Sequence, residues 1–216
     1  MNTKLCSCLL VAALLLSSNL FGQKKNVYTK FNALSRPEKV WVFLHPFVSR
    51  TAYLISNKTI EAVKNLKLKN TIGQDEAGGE LDAFKHTFWM ALLSQKINSE
   101  KARKLGIAHE KGNYQGFKKR KLEDNSCSDK ASCEMDLWNN NIGIEIGCTN
   151  KTANIAELET LVIQALVNGN LLIIKKDSLG NYLNAQGAII KTESFCKSWD
   201  NEKCLIKSKQ SAKTIH

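Results

Sequence analysis

The strongest constraint on how this chain folds is a set of polar side chains at helical spacing inside segments that are otherwise apolar. Asp82 and His86 lie four apart in a run that also carries Phe84, Phe88, Trp89, Leu92 and Leu93. Residues four apart share a helix face, so the acid and the imidazole project together among apolar neighbours. Asp136, Asn139, Asn140 and Gly143 fall at i, i+3, i+4 and i+7, which defines a second polar face. Buried polar groups cost free energy unless something satisfies them. The fold must therefore bring these faces together, around either a hydrogen-bond network or a metal ion.

The rest of the chain reads as a mainly α single domain of five or six helices with a small C-terminal β-hairpin. Ser35-Arg36-Pro37-Glu38 opens a helix with a capping box and an early proline. Apolar periodicity continues to about residue 67, with a break at His45-Pro46. Residues 80–98 form a strong helical pattern, a further helix ends at His109-Glu110, and 134–147 and 154–167 are two more. Between them, residues 111–133 read as a long polar loop. Leu171 to Ile190, turning at Asp177 to Gly180, reads as the hairpin. The domain thus spans residues 35–190 and is followed by a Cys-containing basic tail at 191–216; the basic tail after Cys204 is expected to be disordered, with His216 inert within it.

Residues 1–22 read as a secretory signal: Lys4, an apolar run at Leu9 to Leu16, and a small-residue cleavage site at Gly22. Residues 23–34 follow as a polar leader. The run is too short to cross a membrane and no later segment reaches about 18 apolar residues, so a mature chain without a transmembrane segment, secreted or periplasmic, is expected. The formal charge is +11; the signal at 1–22 holds one Lys and no acid, which leaves +10. That charge favours anionic partners, an anionic substrate or envelope component, and leaves nucleic acid open. Lys118, Lys119, Arg120 and Lys121 form its densest cluster, read either as an anion contact or as a solvated face.

Five cysteines follow the signal: Cys127, Cys133, Cys148, Cys196 and Cys204. An oxidising compartment favours disulfides, and the close pairs Cys127–Cys133 and Cys196–Cys204 are the simplest pairing. Spacing does not fix the connectivity, and Cys148 is an alternative partner for the others.

Two imidazoles with neighbouring carboxylates suit Zn²⁺ or a similar divalent ion. The expected ligands are His86, His109 and Asp136, with Asp82 either a ligand or the hydrogen-bond partner of His86. Glu110 then serves as general base, and Asn139 or Asn140 orients a substrate oxygen. Without metal, Asp82 or Asp136 would orient His86 as the base. The structural alternative is a satisfied network that only joins helices.

The runs Asp82-Ala-Phe-Lys-His86-Thr-Phe-Trp89, Ala108-His109-Glu110 and Met135-Asp136-Leu-Trp-Asn139-Asn140-Asn-Ile-Gly143 resemble an uncharacterised bacterial family with the signature D-A-F-R-H-x-x-W, A-H-E, M-D-x-x-N-N-x-x-G. The resemblance spans about residues 35–190 and implies an exported protein or a terminal module, with no established activity. Lys85 stands where the signature has Arg, which weakens the expectation of a bidentate anion contact. A looser analogy joins His86, His109-Glu110 and Asp136 to the H…HD…D order of the HD-domain phosphohydrolases, with Glu in place of Asp and a shorter last interval. The leading expectation is an exported metal-dependent hydrolase of a phosphoester or other anionic substrate. Its rival is a non-catalytic envelope or partner-binding module with a structural His/Asp/Asn network.

Overall fold

A computed structural model describes residues 29–121, 127–191 and 195–208. The expected signal peptide, the first half of the polar leader and His216 lie outside the described residues. After a helical stretch at 29–33, the order is α1 (Arg36–Leu44), α2 (Pro46–Lys69), α3 (Glu80–Lys96), α4 (Ser99–Lys118), α5 (Lys130–Thr149), α6 (Ile155–Val167), β1 (Leu172–Ile174) and β2 (Leu205–Lys207). The protein is mainly α, with one small antiparallel strand pair near the C-terminus.

Local chemistry sets the helix starts. Ser35 and Glu38 exchange hydrogen bonds in a capping box at α1, as do Asp129 and Ser132 at α5 and Asn154 and Glu157 at α6. His45 closes α1: its N–H and its Nδ1 both meet the Trp41 carbonyl oxygen, and its ring stacks on Trp41 at 4.8 Å. Asn70 stops α2 in the left-handed region, at φ 50°.

α3 is the axis of the domain. It is buried nearly all round: Leu81, Ala83, Phe84, Phe88, Met90, Ala91 and Leu93 have no exposed surface, and Asp82, His86, Thr87 and Ser94 are buried with them. α2, α4, α5 and α6 pack around it. The tightest contact is with α5, at Gly143 and Gly147. A Cβ on Gly143 would overlap the Thr87 carbonyl oxygen, and one on Gly147 would overlap that of Ala91. Both pairs are one helical turn apart in the same direction, so α3 and α5 run parallel with their N-termini at one end.

Three expectations are corrected here. α4 does not end at His109 but continues to Lys118, because Tyr114 and Phe117 pack on Trp199 from the C-terminal segment. α5 begins at Lys130, earlier than expected, so the long loop shrinks to residues 119–129, of which 122–126 lie outside the described residues. β1 pairs with Leu205–Lys207 rather than with residues 182–190, which make only the single bridges Lys176–Tyr182 and Leu183–Ile189. The start of the basic tail is thus a strand: the Leu205-Ile206 pair is β-competent, though lysines surround it.

The cysteine pairing also differs from the one that spacing favoured. Cys127 bonds Cys196, with Cα atoms 5.4 Å apart, while Cys133, Cys148 and Cys204 are thiols. Asp129 starts α5 between Cys127 and Cys133. The cap leaves Cys127 in the loop and carries Cys133 into the buried side of the helix.

Gly143→Ala is expected to destabilise the protein by about 1–3 kcal/mol or more, the range for overpacking a filled contact. Urea unfolding followed by circular dichroism measures it; wild-type stability in the variant would contradict the contact.

Candidate metal centre

The loop before α3 prepares its first turn. Gly78, at φ +88°, donates its N–H to Asp82 Oδ2 at 2.9 Å, which fixes the carboxylate one turn into the helix. Asp82 Oδ1 then faces Lys85 Nζ at 2.8 Å and His86 Nε2 at 3.7 Å. From α5, Asp136 brings its Oδ1 to 3.5 Å from the same His86 Nε2. All three residues are buried, and one donor atom from each lies within 4.8 Å of the other two.

These separations can be compared with those of a hydrogen bond and of a shared ion. At 3.5 and 3.7 Å the nitrogen is too far from either oxygen for a good N–H···O bond. Two metal–ligand bonds of about 2.1 Å meeting at a tetrahedral angle place their donors about 3.4 Å apart. The imidazole is also in the right state. Burial holds its pKa well below the ordinary histidine value, Lys85 and His109 push the same way, and Asn140 opposes them. His86 is therefore neutral at neutral pH, the form that ligates metals.

The other expected residues separate into distinct roles. His109 stands beside the cluster without joining it: its ring centroid is 5.9 Å from that of His86 and 5.7 Å from Trp89. Its Nδ1 meets Glu38 Oε1 at 3.0 Å. Glu110 accepts from Asn113 Nδ2 at 3.1 Å and faces Cys133, whose thiol pKa is pushed far up by burial and by Glu110. It does not line the cleft. Asn139 is a structural clamp rather than a substrate orienter: its amide donates to Leu172 O and its oxygen accepts from Leu172 N–H, both at 2.9 Å. Asn140 stays beside His86, against Gly106 of α4.

The cluster sits in a cleft whose lining includes Lys85, Asn113, Ser132, Tyr182 and Lys203. Its internal volume for water-sized spheres is about 40 Å³, room for roughly three waters at about 10–15 Å³ each. An ion with its waters fits, whereas a large substrate would reach it only through a small group. Of the expected anion-binding residues, Lys85 lines the cleft; Lys118, Lys119, Arg120 and Lys121 are exposed at the end of α4 and do not.

Three residues of this region were not singled out from the sequence. Glu38 was read as a cap, and its second oxygen turns out to hold His109. Tyr182 donates to Ala77 O at 3.1 Å. Lys203 is nearly buried, bonds Asp129 at 2.6 Å and lies 3.8 Å over the Tyr182 ring. Only the capping box gave a local signal for any of them.

Fold and site together define a class: a mainly helical domain with a buried Asp/His/Asp cluster where two parallel helices begin. The family profile of a domain of unknown function (DUF6973) matches residues 39–170, and the chain belongs to that family. The match includes Asp82, His86 and Asp136 and ends before β1. No curated protein and no solved structure matches the chain. Among the clustered donors, the H…HD…D order of the HD-domain analogy is not reproduced, because His109 is not one of them.

The Glu38–His109 pair makes a pH prediction. Burial alone would raise the Glu38 pKa, but the bond and charge of His109 and the bonds to Ser35 outweigh it, and the carboxyl titrates below its ordinary value of 4.5. On acidification the unfolded chain therefore takes up this proton first. The contribution is present above pH 4.5 and is lost as pH falls through the lower folded value. Glu38→Gln, which keeps a capping acceptor, should cost about 1–2 kcal/mol at neutral pH. The gap from wild type should close in acid, measured by urea unfolding across pH; an equal gap at every pH would refute the assignment.

Proposed function

We propose that this chain is an exported, metal-dependent hydrolase of a phosphoester or another anionic substrate. The observation that carries the reading is the trio Asp82, His86 and Asp136, buried, with donors within 4.8 Å of one another and a neutral imidazole nitrogen 3.7 and 3.5 Å from the two carboxylates. A divalent ion there would activate water and offset developing negative charge.

The chain's own groups would do the rest. Gly78 and Lys85 hold Asp82, and Asn140 lies beside the His86 ring. Lys85 and Lys203 place ammonium groups on the cleft wall, where an anionic group would bind. His109, braced by Glu38 beside His86, is the nearest further imidazole for proton transfer. Export is supported by the signal-like leader and by the Cys127–Cys196 bond, since such bonds persist in oxidising compartments.

One observation favours the non-catalytic alternative. Asp82 already receives Gly78 N–H and Lys85, as a purely structural network would require. Metal analysis decides between them. The purified chain should bind ~1 equivalent of Zn²⁺ or Mn²⁺ by calorimetry and mass spectrometry, and His86→Ala or Asp136→Asn should abolish it. Substoichiometric metal indifferent to both substitutions would leave the structural network standing. For activity, a phosphoester panel should show hydrolysis that drops about 100-fold or more in His109→Ala, the scale of a lost proton-transfer group.

A further inference from the structure

The C-terminal segment 195–208 reaches the cleft through Lys203, and it is held there by tethers to other elements rather than by extended secondary structure of its own. Its only regular element is the three-residue strand β2. Two of its non-glycine residues, Cys196 (φ 63°) and Glu202 (φ 66°), occupy the left-handed region, which such residues rarely adopt unless the surroundings impose it. One set of tethers converges on the start of α5, and a second holds residues 204–208 to β1 and its surroundings through the β1–β2 pairing and the bonds of Cys204 to Lys175 and Leu183 and of Ser208 to Leu171 and Leu166. Cys196 bonds Cys127, Lys203 and Asn201 both bond Asp129 Oδ2, and the Trp199 carbonyl accepts from Lys130 N–H. Cys127 and Lys203 themselves line the cleft.

We propose that the Cys127–Cys196 bond is a redox latch: closed, it seats the strap and Lys203 on the cleft wall, and open, it releases them and exposes the site. The proposal rests on the cleft being the functional site described above and names how that site is regulated. Both half-cystines are partly exposed, so a reductant reaches them, whereas Cys133 is buried in α5 and is kept protonated by burial and by Glu110. A protonated thiol does not attack a disulfide, so the latch does not reshuffle onto its neighbour. Closing transfers two electrons and two protons from the Cys127 and Cys196 thiols to an oxidised dithiol carrier, which becomes a dithiol. Opening is the reverse exchange with a reduced dithiol. The site would thus be completed on arrival in an oxidising compartment.

The test uses the metal-free full chain, with and without a phosphine reductant. Lysine acylation is followed by mass spectrometry, and amide hydrogen exchange is followed over residues 195–208. Reduction should raise Lys203 labelling and exchange at Leu205 and Ile206 at least tenfold, with helical circular dichroism unchanged, and oxidised dithiol should restore protection. Cys127→Ser/Cys196→Ser should behave as the reduced form whatever the redox state. Unchanged Lys203 labelling on reduction would overturn the latch. So would loss of the whole helical signal, which would make the bond a staple of the global fold. Neither readout involves metal, so failure of the metal reading is seen separately, in the calorimetry.

Discussion

Everything at the site depends on how closely α5 approaches α3. Gly143 and Gly147 place the α5 backbone directly on the carbonyls of Thr87 and Ala91, an approach that any side chain at those positions would prevent. Because the helices run parallel, this contact also sets their upper turns. Asp136 lies seven residues before Gly143, about 10 Å along the helix at 1.5 Å per residue, which brings it level with Asp82 in the first turn of α3, the direction in which the His86 side chain leans. The same alignment puts both N-termini at one end of the domain, and Asp82, in the first turn of α3, lies where the positive end of a helix dipole favours a carboxylate. The contact that fixes the core therefore also fixes the charge pattern of the site.

Charge is distributed unevenly between surface and cleft. The cationic excess is carried by exposed groups such as Lys118 to Lys121, which attract anions at a distance and weaken with salt. Inside, lysines are matched with aspartates: Lys85 with Asp82, Lys203 with Asp129 and Lys176 with Asp75. Matched lysines are fixed in place, and their contribution is geometric as much as electrostatic.

The sequence made the helices and the two polar faces legible because both follow from residues within a turn or two of each other. The Ser35–Glu38 box, the Asp82–His86 step and the Asp136–Gly143 face are all local patterns. What escaped was decided by partners far away in the chain. α4 runs on past His109 because Trp199 covers Tyr114 and Phe117. Leu205 to Lys207 becomes a strand because β1 is there to pair with it. Cys127 finds Cys196, 69 residues away, because the α5 cap separates it from Cys133. Asn139 and Asn140 illustrate the limit within one site. Adjacent and identical in sequence, they point about 100° apart on the helix, one to the β1 backbone and the other toward His86.

The Asn139 contact has a consequence beyond anchoring. A carboxamide has the same donor and acceptor as a peptide group, and here it pairs with both backbone groups of Leu172, while Ile174 N–H finds the Gly78 carbonyl at 2.7 Å. With β2 on the other side, the strand has little open edge along which a stray segment of another chain could pair. One buried asparagine thus stands in for a third strand along the outer edge of β1.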